Sequence, residues 1–363
     1  MREPLRSPLA DLHVSRGATL GEYHGAVVPA EFSGAAAEHH SARKSAGVFD
    51  FSFRAKFRMA GRDSQRFLQR IISNDVKNLT PGQGTYATLL TAQGRIMADF
   101  RVYCAEDFFL LDTDADLLEK TLQGLRKYVV ADKVTVEPLP VFALSVQGPQ
   151  SRALMEKTLA RELPVMTEYG HFATGLLGFP VRVIQASSTG EPGYEIWLDE
   201  DAMPSVWKEI LARAPAGALP AGTEALESLR IEAGIPRYGP DFGEDTLPLE
   251  AGLLNALSFN KGCYIGQEIV ERARSRGHVN WKLVGLTIDS PQPPAAGEKL
   301  TSEGKDIGEI TSACVSPTLA KTIALGYVRH EVSEAGTLLT LTSGVAAEVS
   351  VLPFYRSRQG FCG

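Results

Sequence analysis

Beyond about Val279 the chain changes its hydrophobic rhythm, and that change constrains the fold more than any other feature. The short apolar runs LVGLTI, KTIALGYV and TLLTLTS are separated by SPQPP, SEGKD and SGVAA. Runs of this length between turn-forming clusters read as strands that reverse at each break. Residues 279–363 are therefore expected to form a small all-β barrel or sandwich. Before them, helical and strand patterns alternate between many glycine and proline breaks, which points to α+β architecture over residues 1–278. At 363 residues the chain is too long for one ordinary core, so two or three domains are expected.

Local patterns place several residues. Phe53, Ala55, Phe57 and Met59 alternate with Arg54, Lys56 and Arg58, as in a half-buried strand. A helix follows, with Asp63 or Ser64 as N-cap and Phe67, Leu68, Ile71 and Ile72 on one face. In RIMADFRVY, Ile96, Ala98, Phe100 and Val102 point one way; Met97, Asp99, Arg101 and Tyr103 point the other. Asp99 is thereby directed away from the apolar set, toward a cleft. Residues 115–129 carry leucines at helical spacing, and a further helix is expected over 221–234, with Gly234 at its C-terminal end.

The formal charge of −6 argues against a protein dominated by phosphate contacts to nucleic acid. The opening residues MREPLRSPLADLHVSRGATL lack the apolar core of a signal peptide, and no run approaches the roughly 20 apolar residues of a membrane helix. Cys104, Cys263, Cys314 and Cys362 are widely separated and form neither a CxxC pair nor a zinc spacing. These features fit a soluble chain in a reducing, cytoplasmic setting, with no coiled coil or long apolar stripe to suggest more than a monomer. Cys104 ends a strand and is expected to pack, Cys314 falls in a turn-like TSACVSP, and Cys362 is one residue from the end of the sequence, where order is not expected.

Three segments could carry chemistry. In KGCYIGQE, residues 261–268, a helix is expected to start near Tyr264 or Ile265. Cys263 would then sit at its positive end, two residues from Lys261, and both effects favour the thiolate. In STGEPGYEIWL, Gly190 and Gly193 bracket Glu191 in a tight turn, where a carboxylate can accept paired hydrogen bonds from a planar ligand; a solvated turn residue has the same pattern. In LRIEAGIPRYGPDFGEDTLPLEAGL, five acidic groups accompany Arg230 and Arg237, so Arg230 balances either an anionic ligand or a buried carboxylate.

Taken in order, these segments resemble the T-protein (aminomethyltransferase) superfamily of the glycine cleavage system. The resemblance runs from AGVFDFSFRAKFRMAGRDSQRFLQRIISNDV through TPGQGTYATLLTAQGRI, ALSVQGP and TGEPGYEI to ITSACVSPTLAKTIALGYV and LPFYRSR. KGCYIGQE resembles the YgfZ branch, because T-proteins carry a segment similar to KGDFIGRE. The resemblance implies an α+β fold of three domains around a central opening: two intertwined α+β folate-binding domains over 1–278 and a C-terminal β-barrel over 279–363. It implies tetrahydrofolate or a derivative as ligand, with Glu191 gripping the pterin and Tyr86, Arg230 and Tyr238 near the folate.

One departure matters. Where T-proteins resemble GGxxDD this chain has GRIMAD, so Ala98 is expected at the position of the catalytic carboxylate and Asp99 is the remaining candidate. The resemblance thus points first to a folate-binding accessory protein for iron–sulfur cluster assembly or repair, with client or assembly proteins as partners and Cys263 as its chemical group. The alternative is a folate-dependent aminomethyltransferase, or a related methyltransferase or demethylase.

Overall fold

The computed structural model describes residues 3–277 and 279–357, so Cys362 lies outside the described residues. The C-terminal strands form a closed six-stranded barrel in the order Trp281–Ile288, Lys321–Arg329, Lys305–Ser316, Lys299–Ser302, Leu338–Leu341, Ala346–Ser350, and the last strand pairs back onto the first. Val284, Leu286 and Ile288 alternate inward and meet Leu300, Ile310, Val328 and Val349. Closure fills the interior and removes both sheet edges, which makes this a barrel and not a sandwich. Cys314 departs from its expected turn. It lies within the strand Lys305–Ser316, opposite Ile323, and burial pushes its thiol up to about 12.

The strand patterns upstream build a five-stranded antiparallel sheet in the order Gly84–Leu90, Ile96–Cys104, Phe108–Asp114, Arg54–Ala60, Thr135–Leu139. Its outer face packs on the helices Ser64–Ile71 and Leu118–Arg126. Phe57, Met59, Leu89, Ala98, Phe100 and Leu111 there meet Phe67, Leu68, Leu122 and Leu125. Asp63 occupies the N-cap of the first helix without a side-chain cap bond; its carboxylate accepts from the Lys133 N–H at 2.8 Å instead. Because side chains alternate with period two, the opposite face carries Lys56, Asp99, Arg101, Tyr103, Asp112 and Asp114.

A six-stranded sheet runs in the order His171–Leu176, Phe179–Gln185, Gly193–Leu198, Phe142–Gln147, Gly47–Asp50, Leu219–Ala221. The chain enters it at Gly47–Asp50, leaves to make the whole five-stranded sheet, and returns at Phe142. One face buries Leu144, Val146, Ile196 and Leu198 under the helices Ser151–Leu159 and Met203–Arg213, with Trp207 fully enclosed. The other face packs Trp197, Ala143 and Ile184 against Tyr103 and Leu110 of the five-stranded sheet, with Phe49, Phe51 and Phe53 at the crossing. A three-stranded sheet of Leu5–Arg6, Thr19–Tyr23 and Ala26–Glu31 completes the N-terminal part. The helix Thr223–Glu232 links the two parts: its Leu229 is buried with the sheet residues and its Ile231 with barrel residues, and Gly234 closes it at φ 66°.

Candidate active site

The inner face of the five-stranded sheet carries more buried charge than a hydrophobic contact between sheets requires. The strands Gly84–Leu90 and Ile96–Cys104 place Tyr86 and Asp99 together there, and Tyr86 Oη donates to Asp99 Oδ2 at 2.8 Å. Burial and the neighbouring Asp114 push the Asp99 carboxyl up to about 6, against the opposing pull of Arg54, Tyr86 and His24. Burial and the adjacent Asp99 raise the Tyr86 phenol well above its ordinary range. Tyr238 joins them: its hydroxyl accepts from Lys120 Nζ at 2.6 Å and donates to the Met97 carbonyl at 3.1 Å, two residues along the strand from Asp99.

This geometry corrects the expectation for Ala98. Its side chain is fully buried on the opposite face, in the core beneath the helices. A carboxylate at 98 would enter that core, whereas Asp99 lies on the inner face of the sheet beside Tyr86.

Next to Asp99 on the same face, Arg101 Nη1 donates to Glu195 Oε1 at 2.5 Å and lies 3.5 Å from Asp112, while Nη2 reaches Ser188 Oγ at 3.4 Å. Trp197 Nε1 holds the other Glu195 oxygen at 3.1 Å, so this carboxylate is closed over by protein. Arg54 is bidentate to Asp112 and also donates to Asp114 at 2.5 Å. Lys56 is enclosed and donates to the Arg54 carbonyl; burial lowers its ammonium to about 8. Glu168, on the segment before His171, is raised to about 7 by burial, and its Oε2 has no hydrogen-bond partner among the described residues.

The other sequence candidates lie elsewhere. Arg230, expected near the folate, has all five of its N–H groups engaged by protein. Nε and Nη2 hold Glu227, Nη1 holds Asp241 at 2.8 Å and the Ile235 carbonyl, and Nη2 also reaches Ser312 of the barrel. Of the two readings of its charge, the buried carboxylate is the one realised. Glu191 is buried, and Arg43 Nη1 donates to it at 3.2 Å. It lines a cavity of about 610 Å³ with His40, Arg43, Lys44, Thr318 and Tyr355. Among the described residues no hydrogen bond or ion pair joins Glu191 to Asp99, Tyr86 or Tyr238.

Cys263 is exposed, and the helix begins at Gln267, not at Tyr264. Gly266 sets that start: its φ is 80°, and a Cβ there would come within 2.6 Å of the Thr91 carbonyl. The segment is thus pressed against the turn before Ile96–Cys104. Lys261 Nζ donates to the carbonyls of Ile72 and Asn74, both at 2.7 Å, and burial lowers it to about 8. Neither support for a Cys263 thiolate survives: the helix end lies four residues on, and the ammonium is committed to two carbonyls.

Sequence reasoning missed Glu195 and its partner Arg101. The available signal was a glutamate inside the otherwise apolar strand Gly193–Leu198, where an unpaired charge is not tolerated. His24, beside Asp114, gave no such signal.

The chain matches two protein-family models in succession, the GCVT N-terminal domain over residues 9–261 and the glycine cleavage T-protein C-terminal barrel domain over residues 282–356. An aminomethyltransferase of Rippkaea orientalis is 34% identical, covering 99% of this chain and 100% of that protein. The aminomethyltransferase of Bacillus subtilis is 31% identical, with 97% and 99% covered. The crystal structure of glycine cleavage system aminomethyltransferase T from Bartonella henselae superposes with a TM-score of 0.90 at 28% identity, covering 97% of this chain and 98% of that one.

Proposed function

The chain belongs to the glycine cleavage T-protein family, and we propose that it is a folate-dependent aminomethyltransferase in which Asp99 is the acid–base group. The observation that carries this reading is the Asp99 carboxylate. It faces the cleft, Tyr86 fixes one of its oxygens, and no described residue donates to the other. Two tyrosines, Tyr86 and Tyr238, stand beside it, and their rings together with the carboxylate acceptor suit a flat heterocycle whose ring N–H groups need an acceptor. Bound tetrahydrofolate would supply the nucleophilic nitrogen that accepts the one-carbon unit. Asp99, raised toward neutrality, is matched to take a proton from such a nitrogen or to balance positive charge on it. Tyr86 orients the carboxylate, and Arg54 helps to hold Asp114 low.

Calorimetry with tetrahydrofolate, followed by turnover with an aminomethyl-loaded carrier protein, tests this. Micromolar binding and turnover that Asp99→Asn abolishes while binding persists are expected. Wild-type protein that binds no tetrahydrofolate would sink the reading.

A second reading keeps the YgfZ-type role, and the exposed, unpartnered Cys263 thiol favours it. In that case Cys263 serves a cluster-assembly client on the surface while folate occupies the cleft. Complementation of iron–sulfur enzyme activity in cells lacking such a factor decides it: rescue by wild type and not by Cys263→Ala supports this role, and equal rescue by both removes it.

A further inference from the structure

The strands Thr19–Tyr23 and Ala26–Glu31 are joined by the two-residue turn His24–Gly25, and both residues have positive φ, 48° and 71°. Asn-Gly is the relaxed choice for such a turn, so a histidine here is held against local preference. The ring gains contacts in return. Its Nδ1 lies 3.2 Å from Asp114 and 3.3 Å from Asp116, and Arg237 Nη1 stands 2.9 Å from Nε2. A guanidinium cannot accept a hydrogen bond, so Nε2 receives the Arg237 hydrogen, and the ring's own hydrogen sits on Nδ1, facing the carboxylates.

We propose that His24 is a positioning residue for the one-carbon chemistry: with Nδ1 held 3.2 Å from Asp114 and hydrogen-bonded to Asp116, it favours the ionised form of Asp114 and leaves the proton of the acid pair on Asp99. The catalytic consequence rests on the transferase reading above; the proton assignment does not.

The groups that face the acid pair come from four places. Arg54 lies on the adjacent strand, Tyr86 on the hairpin partner, His24 on the turn, and Arg237 with Tyr238 on the segment after the helix Thr223–Glu232. Burial favours the neutral form of both acids. His24, Arg54 and Arg237 nonetheless hold Asp114 low, and the ionised Asp114 then helps to push Asp99 up. Below about pH 6 the two coupled carboxyls carry one proton between them, and a polar group held against one of them biases which keeps it. His24, Asp114 and Asp116 are also close enough to surround a cation. The hydrogen on Nδ1 and the guanidinium behind the ring oppose that use.

Two variants isolate the effect. His24→Gly relaxes the turn and deletes the donor; His24→Asn also suits positive φ and returns a donor, Nδ2, at the place of Nδ1. Carboxyl carbon NMR titration of the ligand-free protein, with the Asp99 signal identified by its loss in Asp99→Asn, reads the proton directly. In His24→Gly, Asp99's share of the proton at about pH 5 should fall two-fold or more, and Asp114 should gain a step near the same pH; His24→Asn should restore most of the wild-type pattern. In turnover the acidic limb of kcat should move to lower pH in His24→Gly, with KM little changed. An unchanged Asp99 titration in His24→Gly overturns the proposal, as does stoichiometric Mn²⁺ binding that His24→Gly removes. If wild-type protein shows no folate-dependent turnover, the transferase reading fails, and the carboxyl titration still decides the role of His24.

Discussion

Tyr86 is in register with Arg101, yet its hydroxyl crosses diagonally to Asp99 Oδ2 at 2.8 Å. That bond stabilises the carboxylate over the acid and so restrains a pKa that burial and Asp114 drive upward. Tyr86→Phe should therefore raise the Asp99 pKa further. The acidic limb of kcat is expected to move above its wild-type position near pH 6, with kcat at pH 7 reduced roughly 3- to 10-fold. A pH–rate profile of the two proteins checks the direction; a limb that moves down or stays fixed would mean that Asp99 is not the titrating group.

Asp99→Asn should cost about 10²–10⁴ in kcat with modest effect on folate affinity. It should also be the more stable protein above about pH 6. A carboxyl whose folded pKa is raised to about 6 stabilises the fold fully below its ordinary unfolded value of 3.8 and loses that contribution as pH rises through 6. The amide loses nothing over that window. Urea titrations at pH 5 and pH 8 would reveal the crossover.

Ala98→Asp separates the two faces of the same strand. Ala98 is enclosed with Phe100, Leu89 and Leu122, so a carboxylate there is buried without a partner. The variant should lose about 3 kcal/mol or more of stability and gain no activity. Enhanced turnover at unchanged stability would place 98 on the cleft face and contradict the strand parity.

Period two made the placement of Asp99 legible from the sequence, and the spacing of short apolar runs marked an all-β C-terminal unit without deciding between barrel and sandwich. What the sequence concealed depends on contacts between segments far apart in the chain. Arg230 lies on a helix, and whether its charge meets a ligand or Glu227 and Asp241 is decided by how the barrel strand carrying Ser312 docks. The start of the helix Gln267–Ser275 was misplaced because Gly266 is held in a left-handed conformation against Gly94, a tertiary constraint that hydrophobic spacing does not encode. Glu191 and Glu195 sit four residues apart in one motif. The turn chemistry drew attention to the first, whereas strand alternation sends the second toward Arg101.

Arg230→Met should act on stability and not on binding. It leaves the buried Asp241 and the half-buried Glu227 beside an apolar side chain, although Ser312, Thr311 and Tyr23 still donate to them. A loss of about 3–5 kcal/mol is expected. Folate affinity per folded molecule should remain within about two-fold of wild type, measured by calorimetry well below the melting midpoint. Strongly weakened binding by intact, fully folded variant would return Arg230 to the ligand.

Cys263→Ser provides the complementary case. The thiol is exposed and touches no hydrogen-bond partner among the described residues, so stability should change by less than about 0.5 kcal/mol. Folate-dependent turnover and its pH profile should also be unchanged, because the cleft-facing groups Asp99, Tyr86 and Tyr238 make their contacts without it. Lys261→Met should behave differently, although it is only two residues away. It leaves the carbonyls of Ile72 and Asn74 without their donor and loosens the loop that Asn74 ties to the Tyr86 carbonyl, so kcat should fall with it. Comparing the two variants in one turnover assay separates a chemical cysteine from a segment that only holds the cleft in shape: loss in Cys263→Ser at full stability would require the thiol in the reaction itself.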